Sequence, residues 1–447
     1  MTGAFAVRAN AFHTPERGRL EMLTDTLIEV SGDGVIERVG PANPDRLADV
    51  ADRLVELPAG RYLLPGLVDL HVHAPQWPQL GKALDVPLED WLQRHTFPLE
   101  ARYADVGFAR EMYAELVDAL LAHGTTTAVY FATIHVEATV ALAEICLDRG
   151  QRALVGRVAM DDPRECPDFY RDADAEAAVR DTRAVIDRIR AMQPEDRPLV
   201  LPAITPRFLP SCSETLLDAL GALARETGCP VQTHCAESEW EVGHGQARFG
   251  RSDAEMLEQF GLLSTRAILA HGNFLSDGDR AIIRRSDAAI AHCPLSNVYF
   301  ANAVLPVRAL LDDGLRVGLG TDIAGGHSPS MLESARFAVT ASRSLDRGRG
   351  GSAIGVTEAF WLATAAGGEA LGLPIGLFRP GFDFDAIAID GTGLAPRICA
   401  EMDSPAEAFE KIVRRAGRAD VASVWVRGRK VKPDTCRSDF VDARPEN

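Results

Sequence analysis

No two of the eight cysteines in this 447-residue chain form a C-x-x-C pair, and they are scattered along its length. A chain of this size needs no disulfide framework, so a reducing, cytoplasmic setting is the expectation. The start lacks the basic end, apolar centre and small-residue cleavage site of a secretory signal. No apolar run is long enough to span a bilayer. Positive charge is in deficit: 47 Lys and Arg against 64 Asp and Glu leave a formal net charge of −17. That argues against a nucleic-acid backbone as partner, though not against a single base in a pocket. Solenoid repeats and low-complexity tracts are missing as well. What is present is an ordinary globular composition, 46% apolar and 25% charged, enough for a large domain with a smaller companion.

The first sixty or so residues read as short strands punctuated by Gly and Pro. In DTLIEVSGDGVIERVG, two alternating stretches flank a Gly-Asp-Gly turn. From Leu63 to about residue 345, short apolar runs alternate with longer amphipathic stretches. Strands are predicted at 67–71, 126–131, 153–160, 199–205, 231–235, 267–271, 288–292 and 317–321. Between them, stretches such as SETLLDALGALARETG read as helices, here with Ser213 as N-cap and Gly228 as the stop. Eight alternations indicate an α/β fold, a TIM (β/α)8 barrel more readily than an open doubly wound sheet. After Gly381, strands return in FDFDAIAID and ADVASVWVRGRKV, around a helix in SPAEAFEKIVRRA. The simplest arrangement joins residues 1–64 and 381–447 in one small β-sandwich domain, with the barrel, 65–380, inserted between them.

Catalytic groups of a barrel sit where strands end and the following loops begin. Here those ends read VDLHVHAPQ, VQTHCAE, ILAHGN and GLGTDIAGG. They supply His71, His73, His234, His271 and Asp322, imidazoles and a carboxylate of the kind that hold zinc and leave a position open for water. His71 and His73 are two apart, so on an extended strand they share a face. An isolated strand-end histidine is ordinarily structural; four strand ends with matching chemistry are hard to assemble by chance. Cys235 and Cys293 follow histidines but read as small core residues. His135 opens an H-x-E, yet no P-C-x-x-C follows, which excludes the zinc site built on that pair of motifs. His292 is expected to shape the pocket. His13, His95, His123, His244 and His327 carry no pattern. The fourth strand ends AITPRF, with no lysine that could be carboxylated to bridge two ions, and Arg207 cannot replace one. A single metal ion is expected.

The motifs PGLVDLHVH, a lone His on strand five with Glu three residues on, AHG, HCPLSN and GLGTD resemble the amidohydrolase superfamily. Within it, HAPQW…DVPLEDWLQRHTFPLE, HGTTTAVYFATIH, TPRF and GLGTDIAGGHSPSML resemble the guanine deaminase family, densely from Pro65 to about Gly381. The resemblance implies that His71, His73, His234 and Asp322 ligate one zinc ion per chain. It implies that His271 hydrogen-bonds the reacting water and that Glu237 shuttles its proton. Gln76, Trp77, Arg207 and Phe208, with His234 and Glu237, would hold the base. The implied reaction is hydrolysis of guanine to xanthine and ammonia in purine catabolism, by a homodimer. Zinc lowers the pKa of a bound water to roughly 7, Asp322 and His271 orient that water toward C2, and Glu237 passes a proton to ring N3. Arg207 offers only donors, which suits the C6 oxygen of guanine and not the amine of adenine. Two alternatives stand beside this reading. One is a related barrel deaminase acting on a triazine, cytosine, adenosine or an oxidised guanine. The other is a metal-free scaffold, which would be expected to have lost ligands. One departure from the family is Leu295, where Asn is common.

Overall fold

Alternating residues near the N-terminus form β1 (Phe5–Glu16), β2 (Arg19–Val30) and β3 (Ile36–Pro41). The Gly-Asp-Gly stretch turns β2 back on β3, pairing Val30 with Ile36 and Glu29 with Arg38. Two short strands, β4 (Leu54–Glu56) and β5 (Arg61–Pro65), run parallel to β1. One residue after β5 the barrel begins. Its strands are β6 (Leu67–His73), β7 (Thr125–Phe131), β8 (Arg152–Ala159), β9 (Val200–Pro206), β10 (Val231–Cys235), β11 (Ala267–His271), β12 (Ala289–His292) and β13 (Arg316–Leu319). They lie side by side in chain order, all parallel. Helices cover them from outside, so both faces are dry: every residue of β6, β7 and β8 is buried. The computed structural model describes residues 3–194, 196–346 and 350–432. The ends of the 1–64 and 381–447 assignments, at 1–2 and 433–447, lie outside the described residues.

The last strands return to the first sheet. β14 (Ala386–Asp390), β15 (Val421–Val426) and β16 (Arg429–Lys432) extend it in the order β16-β15-β14-β5-β1-β2-β3. Both chain ends therefore build one mixed sheet beside the barrel. Helix signals act as the sequence suggests. Ser213 accepts a hydrogen bond from the Leu216 amide, and Gly228 ends that helix in the left-handed region at φ 65°. Ser404 and Glu407 cap the helix Pro405–Arg415 reciprocally.

Strand ends differ from expectation where the barrel closes. β6 continues to His73 and β13 stops at Leu319. Past that point, backbone bonds from Asp322 N to the His71 carbonyl and from His73 N to the Ile323 carbonyl, both 2.9 Å, bridge the seam. The Asp69 carboxylate reinforces it, accepting from Thr321 N (3.0 Å), Thr321 Oγ1 (2.6 Å) and His71 N (3.2 Å). The seam that closes the barrel thus runs through His71, His73 and Asp322, three of the residues expected to hold a metal.

Candidate active site

Three strand ends leave the extended conformation within one residue of a polar group. Ala236, His271 and Asp322 have φ of 50°, 75° and 51°, a region that residues with a Cβ occupy at a cost. His234 on β10, His271 at the end of β11 and Asp322, three residues past β13, converge there with His71 and His73 from β6. Phe131, at the end of β7, packs against the rings of His71, His73 and His234 at centroid distances of 4.8–5.0 Å and keeps that side apolar.

The imidazoles converge. Nε2 of His73 and Nε2 of His234 are 3.0 Å apart. His71 Nε2 and His73 Nε2 lie 3.2 and 3.5 Å from Asp322 Oδ1. His234 Nδ1 is 2.6 Å from the Arg207 carbonyl oxygen. It must donate there, so its Nε2 faces inward as a lone pair. His271 Nδ1 likewise donates to Asn297 Oδ1 at 3.0 Å, leaving its Nε2 as a lone pair without a hydrogen-bond partner. Burial, then the neighbouring imidazole of His71, holds His73 and His234 well below the usual histidine range. They are therefore neutral and able to ligate. Burial works against the Asp322 charge, but His71 beside it keeps this carboxyl well below its ordinary range.

Buried lone pairs facing one another are costly unless something positive lies between them. Among the described residues, His71, His73 and His234 form one group whose ligand atoms lie within 4.8 Å of each other; His71, His271 and Asp322 form a second. Neutral imidazoles plus one carboxylate fit a divalent metal ion. Gly325 makes room for the carboxylate, since a Cβ there would stand 2.6 Å from Asp322 Oδ2.

Glu237 borders this group. Its Oε1 lies 3.6 Å from His271 Nε2, and burial, then the Asp322 charge, pushes its carboxyl up to about 8. Its backbone is clamped on both sides: the amide donates to Glu241 Oε2 (2.7 Å) and the carbonyl accepts from Asn273 Nδ2 (2.9 Å). The preceding Ala236 amide donates to Asp253 Oδ2 at 2.8 Å. A carboxyl held neutral near pH 7, on an immobile backbone, is equipped to carry a proton.

Beside Glu237 opens a cavity lined by His73, His234 and Asp322 together with Gln76, Arg207, Phe208, Leu88, Trp91 and Phe300. Three of the four residues expected only as substrate contacts reach this wall. Trp77 does not line it; its indole donates to Glu115 Oε2 at 3.4 Å. Arg207 is buried and bidentate to Glu100, Nη1 to Oε2 at 2.6 Å and Nη2 to Oε1 at 3.1 Å. His292 sits behind the site, not on the cavity wall: its Nδ1 is 3.4 Å from Asn297 Nδ2, so it backs the amide that orients His271. Leu295 is buried beneath Gly326, away from the cavity. His135 precedes the helix Val136–Arg149 and stays outside the cluster, and Cys235 and Cys293 are buried free thiols. Glu100, Asn297 and Asp69 escaped the sequence reading. The one available signal was position, since Glu100 ends the FPLE motif and Asn297 the HCPLSN motif.

The profile of the amidohydrolase family matches residues 62–431. The chain is an amidohydrolase, on the guanine deaminase branch. The guanine deaminase of Dictyostelium discoideum is 35% identical over 446 residues, covering 95% of this chain and 97% of that protein. A probable guanine deaminase of Schizosaccharomyces pombe is 36% identical, covering 97% of this chain and 84% of that protein. Among solved structures, the guanine deaminase from C. acetobutylicum with guanine bound in its active site superposes with a TM-score of 0.89. It is 31% identical, with 96% of this amidohydrolase and 100% of that chain covered.

Proposed function

We propose that this amidohydrolase hydrolyses guanine to xanthine and ammonia, using one zinc ion held by His71, His73, His234 and Asp322. The observation that carries the reading is the adjacency of three parts. The imidazole–carboxylate cluster, a neutral Glu237 and a wall bearing Arg207, Gln76 and Phe208 all border one cavity. Zinc at the cluster would make a water acidic enough to attack at neutral pH. Asp322 and His271 would orient that water, His271 through the Nε2 lone pair that Asn297 fixes. Protonated Glu237 gives its proton to ring N3, which makes C2 open to attack, and the carboxylate left behind takes a proton from the water as the C–O bond forms. It passes that proton to the departing amine as the C–N bond breaks, and the remaining hydroxyl proton at C2 returns to Glu237, so that protons balance. Phe208 covers a face of the ring. Arg207 and Gln76 meet its oxygen-bearing edge, while adenine would set an amine against donors there. Sites built around such a bond can reject the wrong analogue by roughly 10⁴–10⁵-fold.

The relatives support guanine as substrate, and the cluster supports a metal. The described cysteines are free and mostly buried, which fits a reducing cytoplasm, where this enzyme would act in purine catabolism as a homodimer. Purified protein should contain about one zinc per chain and release ammonia from guanine far faster than from adenine, cytosine or a triazine. Two tightly held ions, none, or a preference for another base would refute the reading.

A further inference from the structure

Glu100 has no solvent exposure, and it lies on the short helix Phe97–Ala101, which donates nothing to the metal cluster. Its carboxylate accepts three hydrogen bonds from cavity-wall side chains, with the buried Tyr170 hydroxyl also beside it. Arg207 donates two, and Gln76 Nε2 donates to Oε1 at 3.0 Å. A lone buried ion pair would be explained by charge neutralisation. The third bond, from an uncharged amide, needs another explanation.

The bonds fix which atoms remain for a ligand. Arg207 has five N–H groups, and Glu100 takes one from each Nη. The guanidinium also lies over the Phe97 ring at 5.0 Å, so its plane is held on a face and an edge. It keeps one N–H on each Nη and the one on Nε. Gln76 is oriented from both ends: Oε1 accepts from Ala324 N at 3.1 Å while Nε2 faces the carboxylate. Turning the amide over would set its oxygen against Glu100 and its NH2 against an N–H. Glu100 therefore forbids the flip. Gln76 is left with one N–H and one lone pair, in fixed places. A single carboxylate thus ties the loops after β6 and β9 together and presets the donors of the wall.

We propose that Glu100 is a positioning residue for substrate selection, holding Arg207 and Gln76 so that the wall offers N–H donors to the oxo-bearing edge of a purine. This rests on the reading of guanine as substrate. The selectivity comes from the direction of the donors, which Glu100 sets without touching the ring.

The test compares guanine with 2-aminopurine, which has the same amine at C2 and no oxygen at C6. Glu100→Gln keeps shape but must point an NH2 group at a donor. It should lose about 10²-fold in kcat/KM on guanine, as misplaced binding groups do, mostly through KM. The loss on 2-aminopurine should be smaller, so the ratio of the two substrates falls about tenfold or more. Zinc content should stay at the native value. Glu100→Asp keeps the charge but retracts it, and should show the same change of ratio to a lesser degree; it serves if the Gln variant does not fold. Equal losses on both substrates in either folded variant, or native selectivity with lower activity, would overturn the positioning role alone. A native enzyme that leaves guanine untouched would overturn the proposed function, and this inference with it.

Discussion

At the scale of single residues, burial separates two carboxylates that look alike in sequence. Glu237 and Glu239 stand two apart after β10; the first is buried in the site and the second faces outward at the start of the helix Glu239–Phe249. Glu237 has no guanidinium or ammonium bonded to it, which is why burial raises its pKa where an ion pair would lower it. Glu237→Gln preserves shape and removes the movable proton. Turnover of guanine should fall roughly 10²–10⁴-fold with zinc content unchanged, and near-native kcat in a fully loaded variant would exclude the shuttle. The residues of the imidazole–carboxylate cluster were legible because histidines and an aspartate at successive strand ends form a pattern no core requires. Glu100 and Asn297 were not. A glutamate in an amphipathic stretch and an asparagine after a proline have the ordinary look of a solvated helix or turn. Only the folded packing shows that both are buried against the site.

Among the elements, the barrel strands were readable to within about two residues, because a strand covered on both faces is a short apolar run between breakers. The segment between Leu88 and Ala101 was not readable. Its helical pattern is broken by a π-turn at Leu92–Thr96, which shifts the face that follows, and no periodicity announces such an insertion. The helix before it, Leu88–Trp91, meets the helix Pro294–Ala301 over the cavity, with Trp91 and Phe300 at 4.9 Å between ring centroids. Two loops from different strands thus share an aromatic contact at the cavity wall. Trp91→Ala opens that contact without touching the metal cluster. Aromatic pairs contribute about 0.5–1.5 kcal/mol, so KM for guanine should rise about three- to tenfold with kcat nearly constant. An unchanged KM would mean that the two helices do not help retain the base.

For the whole molecule, the two sheets must be fastened somewhere other than the catalytic end. Apolar packing joins them, Leu64 and Ile387 sharing a core with barrel residues such as Leu67, and a set of buried charges adds to it where the strands begin. Arg152, the first residue of β8, donates Nη2 to Asp383 Oδ2 at 2.7 Å and Nε to Asp385 Oδ2 at 3.2 Å, just before β14. Arg197 pairs with Asp383 and, at 2.6 Å, with Asp33 in the turn between β2 and β3. Arg427, between β15 and β16, donates its amide to Asp385 Oδ1 at 2.7 Å and its Nη1 to the Arg197 carbonyl at 2.7 Å. Barrel, first hairpin and last hairpin therefore share one set of charges. Arg152, Asp383 and Asp385 are all buried, so removing one partner strands charge in a medium that cannot solvate it. Arg152→Ala should destabilise the fold by about 3–5 kcal/mol. Because active groups sit at the other end of the strands, kcat and zinc content at low temperature should stay native. Thermal unfolding followed alongside activity separates the two. A lowered midpoint with full turnover is expected, whereas lost turnover in a still-folded variant would show that the sheet junction and the catalytic end are coupled.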